Sequence, residues 1–291
     1  MRARREKIHG MTTSLADRAA SRSYLFVPGD RPDRFDKAWA SAADTVILDL
    51  EDAVDASRKA QARAAVLAWL SPEHPVLVRI NAVDSPWYED DLSLLQHPGV
   101  LGLMVPKAEQ LDAALVRACA LHGKFLLPIV ESARAFQHLA GLATTPGVER
   151  LAFGTIDFQV DTGITGDDDA LHYFRSRLVL ESRLAGIQPP LDGVTTDIGN
   201  IDILRTDSER SRRFGFAGKL CIHPRQVAIV NECFSPSAAD IAWAIQVTEA
   251  IARSAGAAVA VEGKMVDRPV IMKAQRILQN RQTMGRRGSN S

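Results

Sequence analysis

Cysteine is scarce: Cys119, Cys221 and Cys233 are the only three in 291 residues. They form no C-x-x-C pair and cannot all pair within the chain. That argues against a disulfide framework and against a structural zinc site. It fits a reducing compartment, so we expect a cytoplasmic protein. Net charge is lacking too, since 35 basic residues balance 35 acidic ones. A nucleic-acid or membrane-surface role resting on bulk charge is therefore excluded, while a local basic groove for a phosphorylated ligand is not. No apolar run nears the roughly 20 residues of a bilayer-crossing helix. A glycine-rich phosphate turn is also missing. Gly29 stands alone after the first apolar run, where a doubly wound dinucleotide fold would normally carry several glycines. The first 21 residues lack an apolar h-region, and Glu6 and Asp17 interrupt their Arg-rich composition. We expect a flexible tail there rather than a presequence.

What is present is an alternation of short apolar runs and helical patterns. The runs are Arg22–Pro28, Thr45–Asp52, Pro75–Asn81, Val100–Lys107, Phe125–Ser132, Arg150–Phe158, Leu191–Val194 and Gly218–His223. Between them lie helical stretches, such as Lys59–Leu70 with Ser57 as the expected N-cap. Eight strands, each followed by a helical pattern, predict an α/β fold of the (β/α)8 TIM-barrel type at this length. The expected division is a disordered tail over 1–21, a barrel over 22–255, a C-terminal lid or subunit arm over 256–280, and a disordered tail over 281–291.

The fifth and sixth runs each end on a carboxylate, Glu131 and Asp157. As neighbouring parallel strands they would present both acids at the C-terminal edge, where barrels build their active sites. Two converging carboxylates suit a hard divalent cation that keeps positions open for water and substrate oxygens. Either acid alone would more plainly cap a helix or pair with an arginine.

Several motifs point the same way. Arg22-Ser-Tyr-Leu-Phe-Val-Pro-Gly, Ile47-Leu-Asp-Leu-Glu-Asp-Ala-Val, Val78-Arg-Ile-Asn and Val105-Pro-Lys resemble the citrate lyase β-subunit family. So do Ile129-Val-Glu-Ser-Ala-Arg, Phe153-Gly-Thr-Ile-Asp-Phe and Cys221-Ile-His-Pro. That family lies among the malyl-CoA lyases and HpcH/HpaI-type aldolases. The likeness runs from about residue 22 to about residue 278, and seven motifs occur in order.

The resemblance implies a homotrimer or hexamer acting on a CoA thioester by Claisen-type carbon–carbon cleavage. It implies Mg2+ held by Glu131 and Asp157, and Arg79 binding a keto-acid carboxylate. A planar guanidinium suits that task because it can grip a carboxylate with two parallel bonds. Arg79 would also pair with Glu51 or Asp52, which become candidates to hold metal-bound waters. Arg31, Arg34 and Lys37 follow the first strand, where family members place CoA phosphate contacts. Lys59 and Arg63 are further candidates for those contacts. The segment Gly263-Lys-Met-Val-Asp-Arg-Pro resembles one that carries a catalytic aspartate into a neighbouring subunit's site, here Asp267. Its plainer role is a helix N-cap before Pro269. Two positions depart from the family pattern: Ile156, where many members have an acid, and Ala135, where many have glycine. Both bear on substrate choice more than on the metal.

These readings predict a Mg2+-dependent lyase for malyl-CoA or citramalyl-CoA. The alternatives are a malyl-CoA thioesterase, an aldolase for free hydroxy-keto acids, and a citrate lyase β subunit that needs an acyl-carrier partner. Lys107, ending the fourth strand, could serve a Schiff-base aldolase, the weaker reading beside two metal acids. His223, ending the eighth, is expected to be structural.

Overall fold

The computed structural model describes residues 18–253, 259–261 and 264–288. The chain divides into two compact units, one holding residues 21–231 and the other beginning at residue 232 and including residues 18–20. Residues 1–17 of the expected N-terminal tail lie outside the described residues, as do residues 289–291.

The first unit is a closed parallel barrel in which eight strands pair in sequence order and β8 returns to β1. They are β1 (Ser23–Pro28), β2 (Thr45–Asp49), β3 (Val76–Arg79), β4 (Val100–Val105), β5 (Phe125–Val130), β6 (Ala152–Phe153), β7 (Leu191–Asp192) and β8 (Gly218–Cys221). Closure rules out a doubly wound sheet. The helices that bear on the argument are α1 (Phe35–Trp39), α2 (Lys59–Trp69), α3 (Ala133–Gln137), α4 (Thr155–Thr162), α5 (His172–Leu184), α6 (Ile201–Phe214) and α7 (Pro224–Cys233).

Side chains alternate across each strand, so every second residue faces the barrel axis. Tyr24, Ile47, Leu77, Met104, Leu127, Ile129, Ala152, Leu191 and Leu220 form the packed interior. Continuing the same parity toward the C-terminal edge adds Asp49 after Ile47, Arg79 after Leu77 and Glu131 after Ile129. The charged groups at the barrel mouth are thus the next inward layer above the apolar one. At the lower end, buried Arg150 donates to the Ser21 carbonyl at 3.0 Å and to the Tyr24 hydroxyl at 3.2 Å.

Two local expectations are corrected. The sixth strand stops at Phe153, and Thr155 begins α4, which buries Thr155 and Phe158. That i, i+3 spacing belongs to a helix. Phe158 meets Phe136, Phe153 and Phe174 with ring centroids 4.5–5.5 Å apart. Ser57 does not cap α2: it lies in the 3-10 turn Ala56–Arg58 that leads into the helix, and Asp55 caps that turn, its carboxylate accepting from the Ser57 N–H at 2.9 Å and from its hydroxyl at 2.6 Å. A carboxylate has acceptor capacity for both bonds at once.

The second unit holds α8 (Ala238–Arg253), the antiparallel pair β9 (Val259–Val261) and β10 (Lys264–Val266), and α9 (Arg268–Gly288). Its core is Ala244, Val247 and Ala274, with Trp243, Ile251, Val261, Val266, Val270, Ile277 and Leu278 packed around them. Ser237 and Asp240 cap α8 reciprocally, each side chain accepting the other's backbone N–H at 3.0 Å. Helix α8, which the sequence assigns to the barrel, therefore packs within the C-terminal unit. The C-terminal tail expected from residue 281 is helical through Gly288. Gln, Met and Arg sustain a helix well enough to pass one glycine.

Among the described residues, no helix is long and apolar enough to cross a membrane.

Candidate active site

A cavity of ≈ 250 Å3 opens at the C-terminal edge of the barrel. Its walls include Phe26, Ile129, Phe153, Val194, Leu220 and Ile222, and its charged lining groups are Asp49, Arg79, Glu131 and Asp157. Phe26, Ile129, Leu220 and Ile222 continue the inward parity of their strands, while Phe153 ends β6 and Val194 follows β7. The charges come from the strand ends and from the first turn of α4.

Arg79 is the only cation lining this cavity among the described residues. Its guanidinium donates through Nε and Nη2 to the two carboxylate oxygens of Asp49, at 2.7 and 2.6 Å. Its Nη1 lies 3.0 Å from Glu51 Oε2 and 4.0 Å from Asp52 Oδ2. The Phe26 ring lies 4.7 Å from the guanidinium carbon. Burial works against the charge, but Asp49, Glu51 and Asp52 outweigh it and hold the Arg79 pKa above its ordinary value. The expected pairing with Glu51 is present. The principal partner is Asp49, which sequence reasoning passed over. Strand parity could have found it, because Asp49 and Arg79 are register partners on β2 and β3 and both face inward.

Glu131 is 5% exposed. The Lys107 backbone N–H donates to its Oε1. Lys107 has φ +50°, a left-handed conformation uncommon outside glycine. Burial pushes the Glu131 carboxyl up to about 8, and the charges of Asp157 and Glu51 add to the rise. Gly154 is required beside it, since a Cβ there would collide with the Glu131 side chain. Asp157 does not end a strand as expected. It sits exposed in the first turn of α4, where the helix N-terminus favours a negative charge. Ile156 beside it is 43% exposed and lines the cavity.

Glu51 is buried, and both of its carboxylate oxygens face cations. Arg79 Nη1 and Lys107 Nζ each stand 3.0 Å from one of those oxygens, as ion pairs. Burial raises the Glu51 pKa, with the Asp52 charge adding and Arg79 opposing. Asp52 is more open, at 55% side-chain exposure. The Glu51 contact raises the Lys107 pKa. An amine nucleophile needs the reverse, so the Schiff-base role is not supported.

The other expected residues fall elsewhere. Arg31 is half-buried and paired with Asp33 at 3.0 Å, while Arg34, just before α1, and Lys37, within it, are exposed. Lys59 is buried, its Nζ 2.7 Å from the carbonyls of Leu50 and Glu51, so it is not free for a phosphate. Arg63 pairs with Asp90 at 2.6 Å and Asp91 at 2.8 Å. His223 accepts the Arg225 N–H at 3.2 Å in the first turn of α7, a capping role. Asp267 caps α9 by accepting the Val270 N–H at 3.1 Å, and it is exposed.

Among the described residues, no three His, Cys, Asp or Glu side chains form a ready metal cage. The donor set nevertheless fits a hard cation. Glu131 and Asp157 offer oxygen ligands on the cavity wall, and the buried Glu131 carboxyl is raised by neighbouring negative charge that a cation would offset.

Comparison with known proteins places this arrangement in context. Residues 22–224 match the model described as HpcH/HpaI aldolase/citrate lyase. A citrate lyase subunit beta-like protein of Deinococcus radiodurans is 38% identical, over 89% of this chain and 97% of that one. The L-malyl-CoA/beta-methylmalyl-CoA lyase of Cereibacter sphaeroides is 33% identical, over 89% of this chain and 93% of that one. A Mycobacterium tuberculosis protein solved in complex with magnesium, acetoacetate and coenzyme A superposes with a TM-score of 0.78. It is 35% identical, and the match covers 90% of this chain and 98% of that one.

Proposed function

Since this chain belongs to the HpcH/HpaI aldolase/citrate lyase family of carbon–carbon lyases, we propose that it is a Mg2+-dependent lyase for a short β-hydroxyacyl-CoA. The products are acetyl-CoA and a 2-oxo acid. One observation carries the reading: a single guanidinium faces buried and exposed carboxylates across a mainly apolar cavity.

Cleavage needs three events. The hydroxyl proton leaves, the C–C bond breaks, and the thioester enolate is stabilised and protonated at carbon. Glu131 and Asp157 would hold Mg2+, which supplies Lewis acidity to the substrate's hydroxyl and carboxylate oxygens when bound. The surplus of acids explains why the site would take a cation, since positive charge opposes the rise in the Glu131 and Glu51 pKa values. Arg79 grips the substrate carboxylate. Of its five N–H donors, two serve Asp49 and one faces Glu51, leaving two. That capacity matches one free carboxylate, as in malyl-CoA or citramalyl-CoA. A citryl thioester has two, and no other cation lines the cavity among the described residues. The apolar walls exclude water from the enolate. Asp267 is assigned the proton exchange at the acetyl carbon, on the family resemblance of its segment. Arg34 and Lys37, with Arg31, are assigned to the CoA phosphates, and the catalytic assembly is read as a homotrimer or hexamer.

The test is direct. Purified protein and Mg2+ are incubated with malyl-CoA and, separately, citramalyl-CoA, following 2-oxo acid, acetyl-CoA and free thiol. The expected result is 2-oxo acid and acetyl-CoA in equal amounts, abolished by EDTA. Free thiol without 2-oxo acid would identify a thioesterase instead. Silence on both substrates would overturn the proposal.

A further inference from the structure

We propose that Asp49 is the positioning residue of this site: it sets the direction in which Arg79 presents its remaining donors to a substrate carboxylate. The inference rests on the lyase reading for its substrate but not for its geometry. Asp49 is 1% exposed and ends β2. Its carboxylate takes the Nε and Nη2 donors of Arg79 at 2.7 and 2.6 Å. Its Oδ1 also accepts the backbone N–H of Glu51 at 2.9 Å. Its own carbonyl accepts the Gly29 N–H at 2.8 Å, which ties the turn after β1 to the same residue.

Three directions of the guanidinium are thereby fixed. Asp49 holds one edge in its plane, Phe26 covers a face 4.7 Å from the guanidinium carbon, and Glu51 draws Nη1. An arginine side chain carries four flexible torsions and much rotamer entropy, and a bidentate partner removes that freedom before substrate arrives. The donors left over point away from Asp49, on a residue that lines the cavity beside Glu131. Asp49 thus acts through Arg79 without touching the reacting atoms. Its nearest alternative role is purely structural, as a counter-charge that lets Arg79 be buried.

A double-mutant cycle separates the two roles. Binding of pyruvate in the presence of Mg2+ is measured by calorimetry for the wild type, Asp49→Asn, Arg79→Gln and the double variant, with unfolding midpoints recorded for each. We expect Asp49→Asn to weaken pyruvate roughly tenfold or more, and to have no further effect once Arg79 is gone. On citramalyl-CoA, whose cleavage would release pyruvate, KM should rise in the same proportion as the pyruvate Kd. Equal losses in both backgrounds would overturn the proposal, as would an unchanged Kd in Asp49→Asn. No pyruvate binding by the wild type would overturn it as well. Pyruvate binding with the expected cycle, but no lyase activity on any thioester, would instead fail the functional reading while leaving Asp49's role standing. If Asp49→Asn does not fold, Asp49→Glu takes its place: it keeps the charge and displaces it by one methylene.

Discussion

Two charge clusters in the barrel, each around a buried carboxylate, are built from the same residue types and behave oppositely. One lies between β7 and helices α5 and α6. There Arg175 Nε stands 3.2 Å from both carboxylate oxygens of Asp192, and its Nη2 lies 2.6 Å from Asp167. Arg210 joins Asp167 and Asp207, each at 3.1 Å, and Ser211 donates to Asp192. With Lys219 near Asp192, the cluster sets three bases, Arg175, Arg210 and Lys219, against three acids, Asp167, Asp192 and Asp207. Burial pushes the Asp192 carboxyl up, but Lys219 and Arg175 outweigh it and hold it below its ordinary value.

The cluster at the cavity sets three bases, Arg79, Lys107 and Lys59, against five acids, Asp49, Glu51, Asp52, Glu131 and Asp157. Burial is comparable, yet Glu131 rises to about 8 and Glu51 rises with it. Desolvation is common to both places, so the charge balance decides the sign. A balanced cluster is a scaffold. An acid-rich one calls for a cation, which is the physical content of the metal-site assignment.

The largest expected effect sharpens that contrast. Glu131→Gln and Asp157→Ala should each lower lyase turnover by at least about 100-fold. The measurement is 2-oxo acid release at saturating thioester, and an unchanged rate in either variant would sink the metal-site argument. Asp267→Asn should lower turnover on a similar scale while the unfolding midpoint stays put. Asparagine caps a helix as well as aspartate does but cannot exchange the proton. If Asp267→Asn is fully active, Asp267 is only a cap.

The scaffold cluster should fail differently. Arg175→Ala removes the guanidinium from buried Asp192, leaving it only Lys219 and Ser211, and should cost about 3–5 kcal/mol in urea unfolding. Turnover per folded molecule should stay near wild type. Lost turnover with unchanged stability would reverse the roles given to the two clusters.

The clusters should also respond to pH at opposite ends. Glu131's pKa is raised from 4.5 to about 8. Its contribution is present at low pH and is lost as pH rises through about 8. Metal-free protein should therefore lose on the order of a few kcal/mol between about pH 5 and about pH 9. Asp192 is lowered, so its contribution is present above its ordinary value of 3.8 and lost as pH falls through its folded one. Saturating Mg2+ should raise the thermal midpoint more at the alkaline end. A Mg2+ shift that is equal at both ends, or absent, would contradict the site.

The smallest effect belongs to the exposed cations. Arg34→Ala and Lys37→Ala should raise KM for the CoA thioester roughly threefold each, with less difference at high salt and no change in unfolding midpoint. KM values that ignore both substitution and salt would remove these residues from the CoA site.

Sequence by itself carried the barrel, because eight β-branched and apolar runs at barrel spacing leave few other ways to bury them. It also carried Glu131 and Arg79, since strand parity places inward residues at the mouth whatever the surrounding loops do. Tertiary structure decided the rest. Asp157 moved from a strand end to a helix turn because Phe158 is held among Phe136, Phe153 and Phe174, packing that single-strand periodicity does not encode. Helix α8 joined the C-terminal unit through contacts with α9, far along the chain. Asp49, rather than Glu51 or Asp52, became the main partner of Arg79, because the register of β2 against β3 chooses which of three neighbouring acids faces the guanidinium. Residue types state which charges are available. Only the packed barrel sets their balance and their distance from water, and those two quantities separate a carboxyl that reaches about 8 from one held below its ordinary value.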